Sequence, residues 1–271
     1  MSKIIILIAT FLTSFSYANM NEDFSMLPLR FEETMKVGET KEFTLNIRNE
    51  MKVKKMKEYI LKISEFNLTS EGALNLKDSK TKNSRSLVPY VRLSNDKIEI
   101  EPGKDIKIKV IVSIPKDYKK GSGYFVFTLS KDLELIKQRY KINGAVFMKT
   151  LTGFFAINVV ENKSLSVEIL KAKYENNRLV INLKNTGEFY LKTAGKAVIL
   201  DQSNKKIGVF ELVDSKNRAE FLSFPENERE VSAAIPASVL KGLKNLKVNI
   251  TVSDVKNDFI SNKILDLKLG K

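Results

Sequence analysis

A two-residue alternation of apolar and polar side chains recurs along nearly the whole of this chain, and it leaves β-sheet as the dominant architecture. Phe43, Leu45 and Ile47 alternate with Thr44, Asn46 and Arg48, and Ile106, Ile108, Val110 and Val112 alternate with Lys107, Lys109, Ile111 and Ser113. Successive side chains of an extended chain point to opposite faces, so each run makes a strand with one buried and one wetted face. Further candidates are Tyr59 to Leu68, Val88 to Leu93, Ile98 to Glu101, Tyr124 to Leu129 and Ala145 to Val160. Gly38, Glu71-Gly72, Pro102-Gly103 and Gly121-Ser122-Gly123 separate them as turns. Helical spacing is weak and confined to Lys131 to Lys141. Short strands at this spacing predict a sandwich.

After Val160 the pattern starts again, with Leu165 to Leu170, Leu179 to Lys184, Lys196 to Leu200, Ile207 to Leu212, Glu230 to Ile235, Leu246 to Val252 and Ile264 to Leu269. The halves share landmarks in the same order. Leu45-Asn-Ile-Arg-Asn49 answers Ile181-Asn-Leu-Lys-Asn185, each a strand closing on asparagine. Glu101-Pro-Gly-Lys leads through a strand to Ile114-Pro115, as Pro225-Glu-Asn-Glu-Arg leads to Ile235-Pro236. The expectation is an all-β chain of two tandem immunoglobulin-like β-sandwich domains, 19–160 and 161–271, joined by a short linker at Glu161-Asn162-Lys163 that holds them at a fixed angle. At 271 residues each half can bury a core of its own.

The first residues give a basic start, an apolar run from Ile4 to Leu12, and small residues Ser16 and Ala18 before Asn19. This reads as a signal peptide over 1–18. The run is shorter than the roughly 20 residues a spanning helix needs. Export without a single cysteine leaves each core to hold without disulfides. The lack of histidine and cysteine also removes imidazole and thiolate catalysis and most zinc, iron and copper sites. Carboxylate pairs remain. Asp254 and Asp258 fall in a turn-like stretch, and neighbouring Glu32 and Glu33 point to opposite strand faces. Asp201-Gln-Ser-Asn-Lys-Lys reads as a turn, not a calcium loop. The chain therefore reads as a non-enzymatic binding protein with no cofactor.

Net charge is +14, which favours anionic partners such as envelope polymers or acidic proteins. The lysines are scattered along strands without interleaved aromatics, so nucleic acid is not expected. Lys52, Lys54, Lys55 and Lys57 make a charged loop that either faces solvent or holds an anionic polymer. Gly144 to Val160 is the longest nearly uncharged strand, with Ala145, Phe147 and Leu151 on one face and Val146 and Met148 on the other. Two apolar faces imply two covers. The second is either a partner strand added at this edge or the junction between the domains.

Leu27-Pro-Leu-Arg-Phe31, Val37-Gly-Glu-Thr40, the strand closing on Asn49, Ile98-Glu-Ile-Glu-Pro-Gly103 through Ile114-Pro115, and Gly123-Tyr-Phe together resemble the PapD-like periplasmic chaperones and related two-domain exported surface proteins. The order and spacing of these landmarks carry the resemblance, over 24–160. It implies a periplasmic chaperone that helps assemble pilus- or fimbria-type fibres by lending a strand to an unfinished subunit. It further implies that Arg30 and Lys149 hold the subunit's terminal carboxylate, with Ala145, Phe147 and Leu151 forming the strand-addition surface. The second domain also resembles that of envelope adaptors, which implies the alternative of binding a wall polymer or surface protein through a basic face.

Overall fold

A computed structural model describes residues 24–51, 58–72, 74–76, 83–141, 149–159, 165–243, 245–255 and 259–268. The leader, the lysine loop at 52–57, Ala145, Phe147 and the junction at 161–163 lie outside them.

The first domain runs through β1 (Phe24–Leu27), β2 (Arg30–Met35), β3 (Thr40–Asn49), β4 (Glu58–Ser64), the short hairpin of β5 (Asn67–Leu68) and β6 (Leu74–Asn75), then β7 (Val91–Leu93), β8 (Lys97–Glu99), β9 (Asp105–Ser113), β10 (Ser122–Lys131), helix α1 (Leu133–Tyr140) and β11 (Thr150–Val159). One sheet has the order β1-β3-β9-β7 and the other β2-β11-β10-β4-β8. The chain changes sheets at Pro28: β1 pairs β3 antiparallel, then β2 pairs β11 in parallel. Core side chains come from alternate positions of both sheets, among them Leu45, Ile47, Val110, Phe125, Phe127 and Phe155.

The second domain comprises β12 (Val167–Glu175), β13 (Arg178–Asn185), β14 (Leu191–Leu200), β15 (Lys206–Glu211), β16 (Glu220–Ser223), β17 (Glu228–Ala234), β18 (Asn245–Asp254) and β19 (Phe259–Lys268). The sheet β12-β13-β17 faces β15-β14-β18-β19, with β16 also pairing β14. The all-β, two-sandwich expectation stands.

The two strand-ending asparagines do the same job in each domain. Asn49 is fully buried, its amide donating to Ile100 O at 2.9 Å and its side-chain oxygen accepting from Met51 N–H at 3.1 Å. Asn185 donates to Phe189 O and Ser223 O at 2.9 and 3.0 Å and accepts from Gly187 N–H at 3.0 Å. Their backbones clasp equivalent turns: Gly103 N–H donates to Asn49 O, and Glu226 N–H to Asn185 O, both at 2.8 Å. The turn residues match in backbone as well, Gly103 at φ 74° and Glu226 at φ 68°.

Several elements differ from the expected ones for physical reasons. Tyr59 to Leu68 breaks into β4 and β5 because Phe66 turns away to pack on Tyr124 and Phe224. Val88 to Tyr90 forms a 3-10 turn around Pro89, which has no N–H to give a ladder. β14 starts at Leu191, earlier than the alternation indicates, and β16 carries too few residues to show a period. The weak helical signal is real: Asp132 caps α1 by accepting from Glu134 and Leu135 N–H at 3.1 and 3.2 Å.

Candidate functional site

β11 organises the molecule. Phe155, Ile157 and Val159 face the core of the first domain, whereas Ala156 and Phe154 face a second cluster with Phe66, Tyr124, Val126, Tyr190 and Phe224. Tyr190 and Phe224 belong to the second domain. Along this half of β11 the second apolar face is therefore covered by the neighbouring domain. This seam is itself a small hydrophobic core.

Polar contacts rim the seam. The Arg30 guanidinium on β2 donates to the Tyr190 hydroxyl and pairs with Glu32, while that hydroxyl donates to Glu32 at 3.0 Å. Burial pushes the Tyr190 phenol well above its ordinary range, against the opposing pull of Arg30, so it stays protonated as a donor. Ser122 Oγ accepts from Tyr190 N–H at 2.7 Å. Arg85, 4% exposed, donates to Glu188 O at 3.2 Å and to Glu226 at 3.0 Å. Farther along, Ser70 O accepts from Glu230 N–H at 2.8 Å, and the Arg229 guanidinium lies over Gly72. Buried Asp214 holds Arg229 and Arg218 at 3.1 and 2.6 Å.

Beside the seam opens a cleft of about 610 Å³, lined in part by Glu32, Glu33, Asp254, Lys192 and Tyr190. Its charge is mainly acidic. Glu32 and Glu33 both line it with different partners, Glu33 accepting from Lys41 at 2.6 Å and Glu32 from Tyr190 at 3.0 Å. Asp254 closes β18, and Asp258 lies outside the described residues. Asp201 is a turn residue, its carboxylate accepting from Ser203 and Lys205 N–H, both at 2.8 Å. Among the described residues no three histidine, cysteine, aspartate or glutamate side chains gather around a metal-sized space.

The register does not bring Arg30 and Lys149 together. Arg30 stands opposite Phe154, and Lys149 lies five residues upstream, about 16 Å of extended chain. Lys149 donates to Phe24 O at 3.4 Å and its ammonium lies 5.2 Å from the Phe24 ring centroid, while Arg30 is held by Tyr190 and Glu32. A single carboxylate clamped by both is thus replaced by two separate contacts. Leu151 is half-buried and packs on the core of the first domain.

The upstream part of β11 is different from its seam half. β2 covers only Phe154 to Val159, and among the described residues no strand pairs that side of Thr150 to Gly153. Phe154 N–H donates to Leu29 O at 2.9 Å, and Val159 N–H points the other way, to Gly121 O at 2.6 Å. Alternation then turns the N–H and C=O of Thr150 and Thr152 toward the uncovered side. Leu27 and Leu29, 61% and 41% exposed, border it where the chain changes sheets. Gly153 lets the chain cross there: a Cβ would lie 2.6 Å from Leu29 O and 2.3 Å from the Phe127 ring. Sequence reasoning placed the strand-addition surface on this upstream half, with Ala145, Phe147 and Leu151, but did not show its open main-chain edge, because where β2 begins is set by pairing about 120 residues away in the chain. Tyr190, Arg85 and Glu226 carried no periodic signal at all.

No protein-family model matches the chain, and no curated protein does. Among solved structures it is similar to the class 5 fimbriae chaperone CfaA, at 11% identity and a TM-score of 0.45 over 92% of this chain and 100% of that one. It is also similar to the E. coli chaperone DraB, at 11% identity and a TM-score of 0.42 over 90% of this chain and 98% of that one. A third is a chain of the CsuC-CsuE chaperone-tip adhesion subunit pre-assembly complex from the archaic Csu pili of Acinetobacter baumannii, at 11% identity and 0.42, over 92% and 100%.

Proposed function

We propose that this protein is a periplasmic, chaperone-like binding protein that takes up a strand from an unfinished subunit of a surface fibre along the uncovered edge of β11. The observation that carries the reading is that edge: Thr150 and Thr152 turn main-chain groups outward, with no strand paired to them among the described residues, beside exposed Leu27 and Leu29. Main-chain groups supply affinity in such an addition and apolar neighbours supply selectivity. Ala145 and Phe147, which the sequence assigns to the same surface as Leu151, lie outside the described residues. The kind of client is the one the family resemblance implies. Arg30 acts with Tyr190 at the seam, and Lys149, engaged by Phe24, lies near the upstream end of the edge.

Thr152→Pro tests it, because the lost N–H faces the open side and not β10. Co-expressed with candidate fibre subunits from the same genome, the wild-type protein is expected to co-purify with one of them. Thr152→Pro is expected to lose that subunit at least about tenfold while keeping the wild-type circular dichroism spectrum. Equal capture by the folded variant would refute strand addition at this edge.

A further inference from the structure

A second edge lies in the other domain. β15 pairs β14, and among the described residues no strand pairs the far side of Lys206–Glu211, although on that side Val213, two residues beyond, bridges Ser232 of β17. Leu212 N–H donates to Gly195 O at 2.9 Å, so by alternation Val209 and Glu211 turn their N–H and C=O away from β14. Gly208 stands opposite Ile199 and Lys206 opposite Leu200. Ile207 is the extra residue of a bulge and joins Lys206 on the outer side. Ile207 and Val209 are 39% and 44% exposed, with half-buried Val198 opposite Val209 on the same outer face.

The charges at the two ends of this strand have no ion-pair or hydrogen-bond partner among the described residues. Several glutamates elsewhere are engaged, Glu33 with Lys41, Glu42 with Lys109, Glu58 with Arg139, Glu175 with Lys173 and Glu220 with Lys192, whereas Glu168, Glu188 and Glu228 have no such side-chain partner among the described residues. Neither the Lys206 ammonium nor the Glu211 carboxylate is so held, although exposed Lys196 on β14 stands opposite Glu211. The strand therefore presents a cation, two apolar side chains and an anion in that order. Reversed and laid beside itself, this order is complementary to itself.

We infer that β15 is a self-association edge, at which a second copy of this chain pairs antiparallel about a two-fold axis through Val209. The outward N–H and C=O of Val209 meet those of the partner's Val209. Lys206 and Ile207 of each copy then oppose Glu211 of the other, twice by symmetry, as an isologous interface requires. The joined sheets bury the two exposed apolar residues of each strand, and the small area makes the association concentration-dependent. This edge belongs to the second domain and the client edge to the first, so either can fail without the other.

Sedimentation equilibrium of the purified protein tests the inference between about 10 µM and 1 mM, the range in which a small interface titrates. The wild type is expected to pass from monomer to dimer. Val209→Lys puts two ammonium groups on the axis and is expected to weaken the dimer at least about tenfold. Lys206→Glu sets like charges opposite Glu211 and weakens it as well, and adding Glu211→Lys to that variant restores it. Each of these side chains is exposed, and unchanged thermal unfolding is the check that each variant folds. A wild type that stays monomeric to about 1 mM, a Val209→Lys protein that dimerises as well as the wild type, or a double variant no tighter than Lys206→Glu alone would each overturn it.

Discussion

Glu226 shows how a single residue serves two competing demands. Its backbone sits at φ 68°, where the matching turn of the first domain has Gly103, and a side chain there is disfavoured by about 1 kcal/mol. The side chain is kept in contact with Arg85, a guanidinium buried at the seam. Hydrogen bonds to charged groups contribute about 1.5–3 kcal/mol, reduced here because the Glu226 side chain is 60% exposed. Glu226→Gly is therefore expected to lower stability by a net of about 1 kcal/mol in urea unfolding. A gain in stability would mean that the backbone strain outweighs the contact. Asp214 gives a pH signature. Burial pushes its carboxyl upward, but the Arg218 side chain and the Arg218 and Lys216 N–H donors outweigh this and hold it below its usual value. A carboxylate with a depressed folded value contributes stability above the unfolded value of about 3.9 and loses it as pH falls through the folded one. Urea midpoints should fall with acid below about pH 4, and less steeply in Asp214→Asn. An equally steep fall in that variant would assign the loss to other groups.

At the scale of elements, the repeat of strand, asparagine and turn is the device that closes each sandwich. Asn49→Ala and Asn185→Ala each leave buried partners unsatisfied, and a loss of about 2–3 kcal/mol is expected from each in chemical denaturation. Asn185→Ala should be the costlier, since it removes two donated bonds where Asn49→Ala removes one; the reverse order would contradict the equivalence drawn between the turns. These asparagines were legible in the sequence because they sit at a fixed place after an alternating run. β3, β9 and β18 were legible for the same reason, their burial following the two-residue period almost residue by residue. β16 and the 3-10 turn at Val88–Tyr90 were not, being too short for any period to register. The site was only half legible. Two apolar faces marked β11, but what covers the second face depends on where Tyr190 and Phe224 fold back, and which part of its edge stays open depends on where β2 begins; no local pattern encodes either. Arg30 and Lys149 illustrate the same point, for their separation is a matter of register between strands distant in sequence.

The whole molecule is two sandwiches held as one by a seam of aromatic side chains, with Arg30, Tyr190, Glu32, Arg85 and Glu226 around it. One consequence is that the seam half of β11 is covered by β2 and the second domain, so the proposed strand addition is confined to its upstream end. Amide hydrogen exchange on the complex with the co-purified subunit, compared with the free protein, tests this most directly. Thr150 and Thr152 N–H should exchange fast in the free protein and become protected in the complex, while Phe154 N–H, already bonded to Leu29 O, is protected in both. A complex in which Thr150 and Thr152 still exchange as fast as in the free protein would contradict strand addition at β11.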